Sequence, residues 1–467
     1  MTRGKTAPAR ARAEKLRPAL PPARPLILAE DHGKPVLLPA EKVGQSGDRW
    51  VEPFLAANRP LLERMDIRTE VRAQRGVHLV LHPGRRIGAV PLLSPSTRKV
   101  VAGLLVEPRF RWTSLGSVFE RIGFSVEPTL GDSLLVPGSA RQVPPWLLAA
   151  PVLRRLEALW RHQRRGFAEV EEERPSPRGR IDWRTWATRN VPVGRWERFP
   201  CAFPEPVFDP QLLGELRWTV SRLTEELGHV AETPVGRTLL ERTRSLALQL
   251  GPGPQQRPRS HHRASESTFV AEALQAMGWV ADKRGLGGTG SLDGLSWSLA
   301  IDEVWEAWVA TFTADLATRL GLQPTPHGGA KYRLNWAGGL QSMGALVPDV
   351  ALRGADRAIW VDAKYKAHLS LLAQQGWRRL TEDVRNAHRA DLHQALAYAN
   401  LAAVDHVDTV LAYPDFSTSE EHPLFAIATM ASGRRRVRLM LAGIPFGFRS
   451  PDHREKTLSA WRIALTT

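Results

Sequence analysis

Two short apolar runs lie on either side of a polar turn within the stretch 347–366. This pattern predicts two strands joined in a hairpin. If the turn is centred on 355–356, antiparallel pairing places Asp349 directly opposite Asp362, with their Cβ atoms roughly 5 Å apart. Asp362 and Lys364 are two residues apart on the second strand and therefore share one face of it. The pattern thus predicts two carboxylates and a lysine close together at the open end of the hairpin.

Similar patterning divides the rest of the chain into regions. Short apolar runs separated by proline, glycine and serine dominate 26–143, which predicts a β-rich N-terminal domain. The strands predicted there are 77–82, 86–93 and 99–106, and the helices lie near 50–65 and 115–122. Apolar residues at three- and four-residue spacing then predict a mainly helical middle region at 144–291. Its predicted helices are 146–160 and 212–227, its extended segments are 178–183 and 197–203, and its flexible break is the proline-rich stretch 251–265.

The last predicted domain, 292–467, begins with a long helix. An apolar stripe over 301–320 predicts that helix, and the hairpin follows it. Beyond the hairpin, the pattern predicts a polar helix at 382–401 and strands at 407–413, 424–429 and 437–441. This order of elements predicts an α/β domain with a mixed sheet flanked by helices.

Among the features of the composition, only the charge indicates a class of partner, because the hydrophobic and charged fractions of 43% and 24% are ordinary. The 467 residues carry 64 basic and 48 acidic side chains, a net charge of +16. Such a balance favours a polyanionic partner such as nucleic acid. A compositional preference for arginine is the alternative explanation. Six of the basic residues fall within the first 17, and 1–25 is predicted to be a disordered basic arm.

A single cysteine, Cys201, excludes a disulfide framework and a thiolate zinc cluster. No apolar run approaches the roughly 20 residues that span a bilayer, and no apolar core follows the basic N-terminus. We therefore expect a cytoplasmic protein without a membrane segment. The sequence also contains no complete Walker A motif, so the chain is not expected to hydrolyse nucleotides itself.

The hairpin residues suggest a particular chemistry. Facing carboxylates at Asp349 and Asp362 repel each other unless a positive charge lies between them. A divalent cation with oxygen ligands meets that need, and Lys364 beside it can contact a phosphate or activate a water. This combination is typical of a metal-dependent phosphodiesterase. The alternative is a solvated hairpin face with ordinary surface charges.

These residues resemble a known family. Pro348-Asp349 followed by Asp362-Ala-Lys364 is similar to the PD-(D/E)xK nuclease motif. Further segments with the same order resemble the McrC family, the nuclease subunit of modification-dependent McrBC restriction systems. They are 106–110, 178–182, 304–309, 362–366, 391–398 and 411–414. The long basic N-terminus and the break at 251–265 depart from that family.

The resemblance implies roles for individual residues. Asp349, Asp362 and the carbonyl of Ala363 would bind Mg²⁺ (or Mn²⁺). Glu306 would contribute from the upstream helix, directly or through water; Glu303, one turn earlier, is the alternative. Lys364 would orient the attacking water and stabilise charge on the phosphate.

Two further residues, Gln394 and Tyr398, are four apart on one helix face and are suited to holding Lys364 or a DNA phosphate. Without the resemblance, a solvent-facing polar helix explains them equally well. At the level of the whole chain, the resemblance implies a Mg²⁺-dependent DNA endonuclease. It would work in a hetero-oligomer with an AAA+ GTPase or ATPase in antiphage restriction, and the β-rich domain would dock on that partner.

Two alternatives stay open: a self-sufficient nuclease without such a partner, and an inactive DNA-binding scaffold with a nuclease fold.

Other sequence patterns carry less weight as evidence for a function. The glycine-rich stretch 285–290 fits a dinucleotide-binding pattern but lacks the helix and acidic residue that should follow. His261 and His262 lie in a proline-rich linker, and His388 and His393 are five apart, a poor spacing for zinc on one helix.

Overall fold

The computed structural model describes residues 24–73, 76–139, 142–162, 166–207, 209–259, 268–282, 293–325, 329–337, 342–401, 404–415, 423–432 and 435–467. Several predicted features lie outside the described residues: most of the basic arm, the second half of the break, both linker histidines, the glycine-rich stretch and residue 292. None of the described helices is long and apolar enough to cross a membrane.

The N-terminal part is rich in strands, as predicted. Its elements are β1 (Leu26–Glu30), β2 (Val36–Leu38), α1 (Val51–Arg64), β3 (Ile67–Ala73), β4 (Val77–Pro83), β5 (Arg86–Leu93), β6 (Val100–Glu107), α2 (Trp112–Ile122) and β7 (Thr129–Val136). All three predicted strands and both predicted helices are present. One face of the β1–β6–β5 sheet packs against α1 and the small β2–β4–β3 sheet, and its other face packs against helices.

The middle part is mainly helical, with a small sheet beside the helices. Its elements are α3 (Pro145–His162), β8 (Gly166–Arg174), β9 (Arg180–Ile181), α4 (Trp183–Thr185), β10 (Phe199–Val207), α5 (Pro210–Gly228), α6 (Pro234–Leu250) and α7 (Thr268–Ala281). The predicted helices correspond to α3 and α5, the predicted segment 178–183 contains β9, and the predicted segment 197–203 covers the first part of β10. Strand β8 was not predicted, and it pairs antiparallel with β10 along its whole length.

Residues 251–259, the first part of the predicted flexible break, are hydrogen-bonded to α5. The Arg217 side chain donates to the carbonyls of Leu250 (2.8 Å) and Gly251 (3.1 Å). The amide of Gln256 donates to the carbonyl of Gly214 (3.0 Å). This part of the break is therefore held against α5, because the Arg217 side chain and the Gly214 carbonyl satisfy two of its backbone groups.

Strand β11 (Gly294–Ala300) follows the predicted start of the last domain, yet it completes the N-terminal sheet. It pairs antiparallel with β5 on one side and with β7 on the other, and all seven of its residues are buried. The strand order of that sheet is β1–β6–β5–β11–β7. The predicted boundary near residue 292 therefore lies between strands that belong to one sheet, with β5 and β7 before it and β11 after it.

The C-terminal part forms the mixed sheet flanked by helices that the sequence predicts. Its remaining elements are α8 (Ile301–Leu320), β12 (Gln323–Thr325), β13 (Tyr332–Arg333), β14 (Ala345–Leu346), β15 (Val350–Arg353), β16 (Arg357–Ala363), α9 (His368–Gln375), α10 (Glu382–Ala399), β17 (His406–Asp415), β18 (Phe425–Ser432), β19 (Arg435–Pro445) and α11 (Pro451–Thr466). The six-stranded sheet has the order β12–β15–β16–β17–β19–β18. Helices α8 and α11 cover one face, and α9 and α10 cover the other.

Candidate active site

The candidate site lies at the ends of two parallel strands at the centre of this sheet. Strands β16 and β17 run parallel, and the amide of Lys364 continues their pairing by donating to the carbonyl of Ala412 (2.8 Å). The carboxyl ends of strands in open α/β sheets form the crevices in which ligands usually bind. The residues that follow β16 therefore lie at a position suited to a substrate.

The hairpin brings the two predicted carboxylates together. Val350 pairs with Val361, and this register is the predicted one. Asp349 lies immediately before β15, opposite Asp362 when the register is extended by one residue. Its Oδ2 accepts a hydrogen bond of 2.7 Å from the amide of Ala363. That bond fixes Asp349 against the end of β16, next to Asp362.

A chain of contacts fixes Lys364. Its Nζ lies 2.6 Å from Oδ2 of Asp362 and donates to Oε1 of Gln394 at 2.9 Å. Gln394 Nε2 donates to the hydroxyl of Tyr398 (2.7 Å), which donates to the carbonyl of Val347 (3.2 Å). Burial raises the pKa of Tyr398 to about 12, so the hydroxyl keeps its proton at neutral pH. Gln394 therefore contacts Lys364 directly and Tyr398 contacts Gln394, while the role predicted for both residues stays a prediction.

The carboxylate of Asp362 is buried, and its ionised form is therefore disfavoured. The residue is only 4% exposed, and burial raises its pKa to about 6. Asp349 also contributes to that increase, whereas the Lys364 ammonium opposes it. Oδ2 of Asp362 contacts Nζ of Lys364 as an ion pair, but among the described atoms it has no partner with hydrogen-bond geometry. The ionised form therefore lacks part of the compensation that a buried carboxylate needs.

These features fit a divalent cation. A buried carboxylate with a raised pKa, beside a second carboxylate, offers the hard oxygen donors that Mg²⁺ and Mn²⁺ prefer. Asp349 and Asp362 are the residues that could hold such an ion. Ala363 is the last residue of β16, and its carbonyl stays a predicted ligand.

Helix α8, which carries the predicted upstream acidic residue Glu306, also contacts the site. Trp305 of α8 donates through Nε1 to the carbonyl of Ala412 (3.4 Å), the acceptor that Lys364 also uses. Glu306 follows Trp305 and is half-buried, whereas Glu303 is exposed. Partial burial near the strand ends favours Glu306 over Glu303 for the predicted role, and that role stays a prediction.

A second group of titratable side chains adjoins Lys364. Asp391 of α10 accepts hydrogen bonds from Lys366 Nζ at 2.7 and 2.9 Å, and its Oδ2 lies 3.5 Å from Nδ1 of His368. His368, His388 and Asp391 are all buried and close enough together to bind a metal ion. Because Lys366 already neutralises Asp391, we interpret this group as support for the loop after β16. The sequence pattern missed this group: His388 lies beside His368 and Asp391, its Nδ1 is 3.3 Å from the hydroxyl of Tyr413, and His393 is exposed.

The N-terminal sheet also reaches the site. Tyr365 donates from its hydroxyl to Oδ2 of Asp31 (2.7 Å), which follows β1. Oδ1 of Asp31 accepts from the amide of Arg109 (2.7 Å), which follows β6. Burial raises the pKa of both Asp31 and Tyr365. Neither contact was predicted, because 334 residues separate Tyr365 from Asp31 in sequence.

The known proteins similar to this chain include two solved structures and one family model. No curated protein matches the chain. Two solved structures from Thermococcus gammatolerans are similar to it: a half-complex from a tetradecameric assembly of McrB AAA+ hexamers with bound McrC, and an McrBC complex. The first is 13% identical, covers 95% of this chain and 100% of that chain, and has a TM-score of 0.44. The second is 14% identical, covers 62% and 88%, and has a TM-score of 0.24.

A family model described as "McrBC 5-methylcytosine restriction system component" matches residues 143–414. This match spans more than half of the chain and contains every predicted site residue. The chain therefore belongs to the family of McrBC 5-methylcytosine restriction system components.

Proposed function

We propose that the chain is a Mg²⁺-dependent DNA endonuclease with a C-terminal PD-(D/E)xK domain and that it is the McrC-like subunit of an antiphage restriction system. One observation carries the proposal: Nζ of Lys364 is held between the buried carboxylate of Asp362 and the amide of Gln394, at the end of a central strand. A lysine restrained in this way beside paired carboxylates suits phosphodiester hydrolysis.

Each side chain has a role in this proposal. Asp349, Asp362, the carbonyl of Ala363 and Glu306 would hold Mg²⁺ or Mn²⁺. A divalent ion there supplies Lewis-acid charge and lowers the pKa of a bound water. Lys364 orients the water for attack and offsets the negative charge that develops on the phosphate.

Gln394 and Tyr398 contribute indirectly. Gln394 fixes Nζ of Lys364, and Tyr398 fixes the amide of Gln394 so that its oxygen, not its nitrogen, faces the lysine. Both side chains thereby reduce the reorganisation that Lys364 needs when a phosphate arrives.

The substrate and partner follow from family and charge. The family description names a 5-methylcytosine restriction system, and a net charge of +16 suits a DNA substrate. We propose an AAA+ GTPase or ATPase partner that translocates DNA, because the sequence has no complete Walker A motif of its own. The β-rich N-terminal part would dock on that partner in a hetero-oligomer acting in the cytoplasm.

Cleavage of supercoiled plasmid with and without 5-methylcytosine tests this function. The full chain is assayed with the candidate AAA+ partner, nucleotide and Mg²⁺. We expect cleavage by the wild type, loss of cleavage in Asp362→Ala and Lys364→Ala, and wild-type cleavage in Asp356→Asn. Asp356 is a matched control because it is an exposed aspartate in the turn at the far end of the same hairpin.

The two alternatives give different results in the same assay. Cleavage by the chain alone with Mg²⁺ and no nucleotide would support a self-sufficient nuclease. Unchanged phage restriction and cleavage in both site variants would support an inactive scaffold and contradict the proposal.

A further inference from the structure

Tyr365 lies between Lys364 and Lys366 in sequence, but its side chain points away from the site. Lys364 and Lys366 contact Gln394 and Asp391 on the α10 side of the sheet. The Tyr365 side chain is buried on the opposite side, in the core that contains α8 and the N-terminal sheet. The backbone of Tyr365 therefore links this core directly to both neighbouring lysines.

The N-terminal sheet holds Tyr365 through two strand ends. Asp31, which is fully buried, accepts the Tyr365 hydroxyl at 2.7 Å. Asp31 is itself fixed, because its amide donates to the Glu107 carbonyl (3.0 Å) and its Oδ1 accepts from the Arg109 amide (2.7 Å). The Arg109 guanidinium lies 4.3 Å from the centre of the Tyr365 ring. A hydrogen bond to Asp31 and a cation–π contact with Arg109 thus converge on Tyr365, and an ion pair joins Arg109 to Asp31.

An aromatic cluster extends this contact to the helix of the site. Phe446 stacks on Phe110 at 4.2 Å and on Trp305 at 5.9 Å between ring centres. The Tyr365 ring packs beside them, 6.3 Å from Phe446 and 6.4 Å from Trp305. Trp305 and the backbone of Lys364 share the Ala412 carbonyl as acceptor. The end of β6 is therefore packed against both elements that carry the predicted site.

We propose that Tyr365 and Asp31 are positioning residues for Lys364, through which the N-terminal sheet sets the geometry of the cleavage site. This inference rests on the proposed nuclease function. A catalytic group must be held closely, since a displacement of about 1 Å can lower a rate about a hundredfold. Docking of a partner on the N-terminal part would act on Lys364 through these two side chains.

Tyr365→Phe is the sharpest variant, because phenylalanine keeps the ring and its packing and removes only the hydroxyl. Asp31→Asn is the second variant, since it removes the carboxylate charge from the same contact. Tyr332→Phe is the matched control: its hydroxyl accepts from Arg353 at 2.8 Å, away from Lys364.

The experiment measures cleavage of supercoiled plasmid by the full chain with its AAA+ partner, nucleotide and Mg²⁺. For Tyr365→Phe and Asp31→Asn we expect kcat to fall by about tenfold or more with KM for DNA unchanged, because positioning affects the reacting geometry and not DNA binding. Hydrogen exchange at the Lys364 amide should accelerate in both variants. The double variant should lose little more than either single variant, because both act through one contact.

The outcomes separate the positioning role from the proposed function. If both variants keep kcat within about twofold of the wild type while Lys364→Ala abolishes cleavage, the positioning role is wrong and the nuclease stands. A fall in kcat of the same size in Tyr332→Phe would also contradict the positioning role. Wild-type cleavage by Lys364→Ala would overturn the nuclease proposal, and the positioning role with it.

Discussion

Lys364 and Gln394 lie on different elements, 30 residues apart, and their side chains meet in a hydrogen bond of 2.9 Å. The amide orientation that permits this bond is set by Tyr398, which accepts from the other end of Gln394. The lysine therefore approaches Asp362 with one of its three donors already engaged. This arrangement makes the helix α10 part of the site without giving it a metal ligand.

Gln394→Ala should lower the cleavage rate by roughly tenfold or more, since a hydrogen bond to a charged group contributes about 1.5–3 kcal/mol. DNA affinity should change little, because Lys364 keeps its charge and its contact with Asp362. Single-turnover cleavage and a DNA-binding titration check the two effects separately. Tyr398→Phe should have a smaller effect, as it removes only the support of Gln394. A larger effect at Tyr398 than at Gln394 would contradict this order.

Binding of the divalent ion should depend on pH through Asp362. Because the pKa of Asp362 is raised to about 6, a proton competes with the ion below that pH. Affinity for Mn²⁺ should be nearly constant from pH 7 to 8 and fall by up to about tenfold per pH unit below 6. Calorimetric titration of the full chain with Mn²⁺ measures this. Asp356→Asn, altered only in the hairpin turn, should follow the wild-type profile, and a constant wild-type affinity from pH 5 to 7 would contradict the role of Asp362.

The same shift in pKa has a consequence for stability. A folded-state pKa above the unfolded value means that the contribution of Asp362 is most favourable below pH 4 and is lost as pH rises through about 6. Asp362→Asn, which mimics the neutral acid, should therefore stabilise the metal-depleted chain at pH 8, by at most roughly 3 kcal/mol. Urea unfolding in a chelator at pH 8 and pH 4 measures the difference, which should shrink toward pH 4. Destabilisation at pH 8 would show that the Lys364 contact outweighs the burial of the charge.

Local patterns predicted much of the fold and the centre of the site. Helix α8 has the bounds expected from its apolar stripe, and the hairpin has the expected register, because both depend on neighbours within a few residues. Strand β8 was missed, since its run of glutamates, 171–173, is exposed and shows no apolar alternation. The pairing of β11 with β5 also could not be predicted from the local sequence, because the pattern of a fully buried strand does not specify which strand it pairs with.

The support around the site was less predictable than its centre. Asp349, Asp362 and Lys364 are close in sequence, so spacing alone brought them together. Tyr365 and Asp31 meet only because the N-terminal sheet packs against the same core as α8. Neither residue lies in a sequence pattern that predicts this contact. Contacts of this kind depend on tertiary packing that a single sequence does not express.

A buried ion network should matter for stability and not for cleavage. Asp408 of β17 accepts from Nε of Arg357 (2.8 Å) and from Nε of Arg438 (2.6 Å), at the end of the sheet opposite Lys364. Asp408→Ala would leave two largely buried guanidinium groups without this carboxylate. Removing one partner of such a network typically costs about 3–5 kcal/mol. Urea unfolding of the full chain measures the loss.

Cleavage per folded molecule should be unchanged in Asp408→Ala at temperatures where the variant is folded, because the described contacts of Asp408 are with Arg357 and Arg438, at the other end of the sheet. A lower rate in that variant would mean that the two ends of the sheet are coupled.

The choice between the two glutamates of α8 can be tested by one matched pair of substitutions. Glu306 is half-buried and follows Trp305, whose indole contacts the Ala412 carbonyl beside Lys364, whereas Glu303 is exposed one turn earlier. Glu306→Gln should lower single-turnover cleavage by about a hundredfold, the scale seen when a group that orients a metal site is lost. Glu303→Gln should stay within about twofold of the wild type, since exposed substitutions away from a site have small effects. Because both changes remove one negative charge from the same helix, any general effect of charge on DNA binding cancels between them. The reverse ranking would assign the upstream acidic role to Glu303.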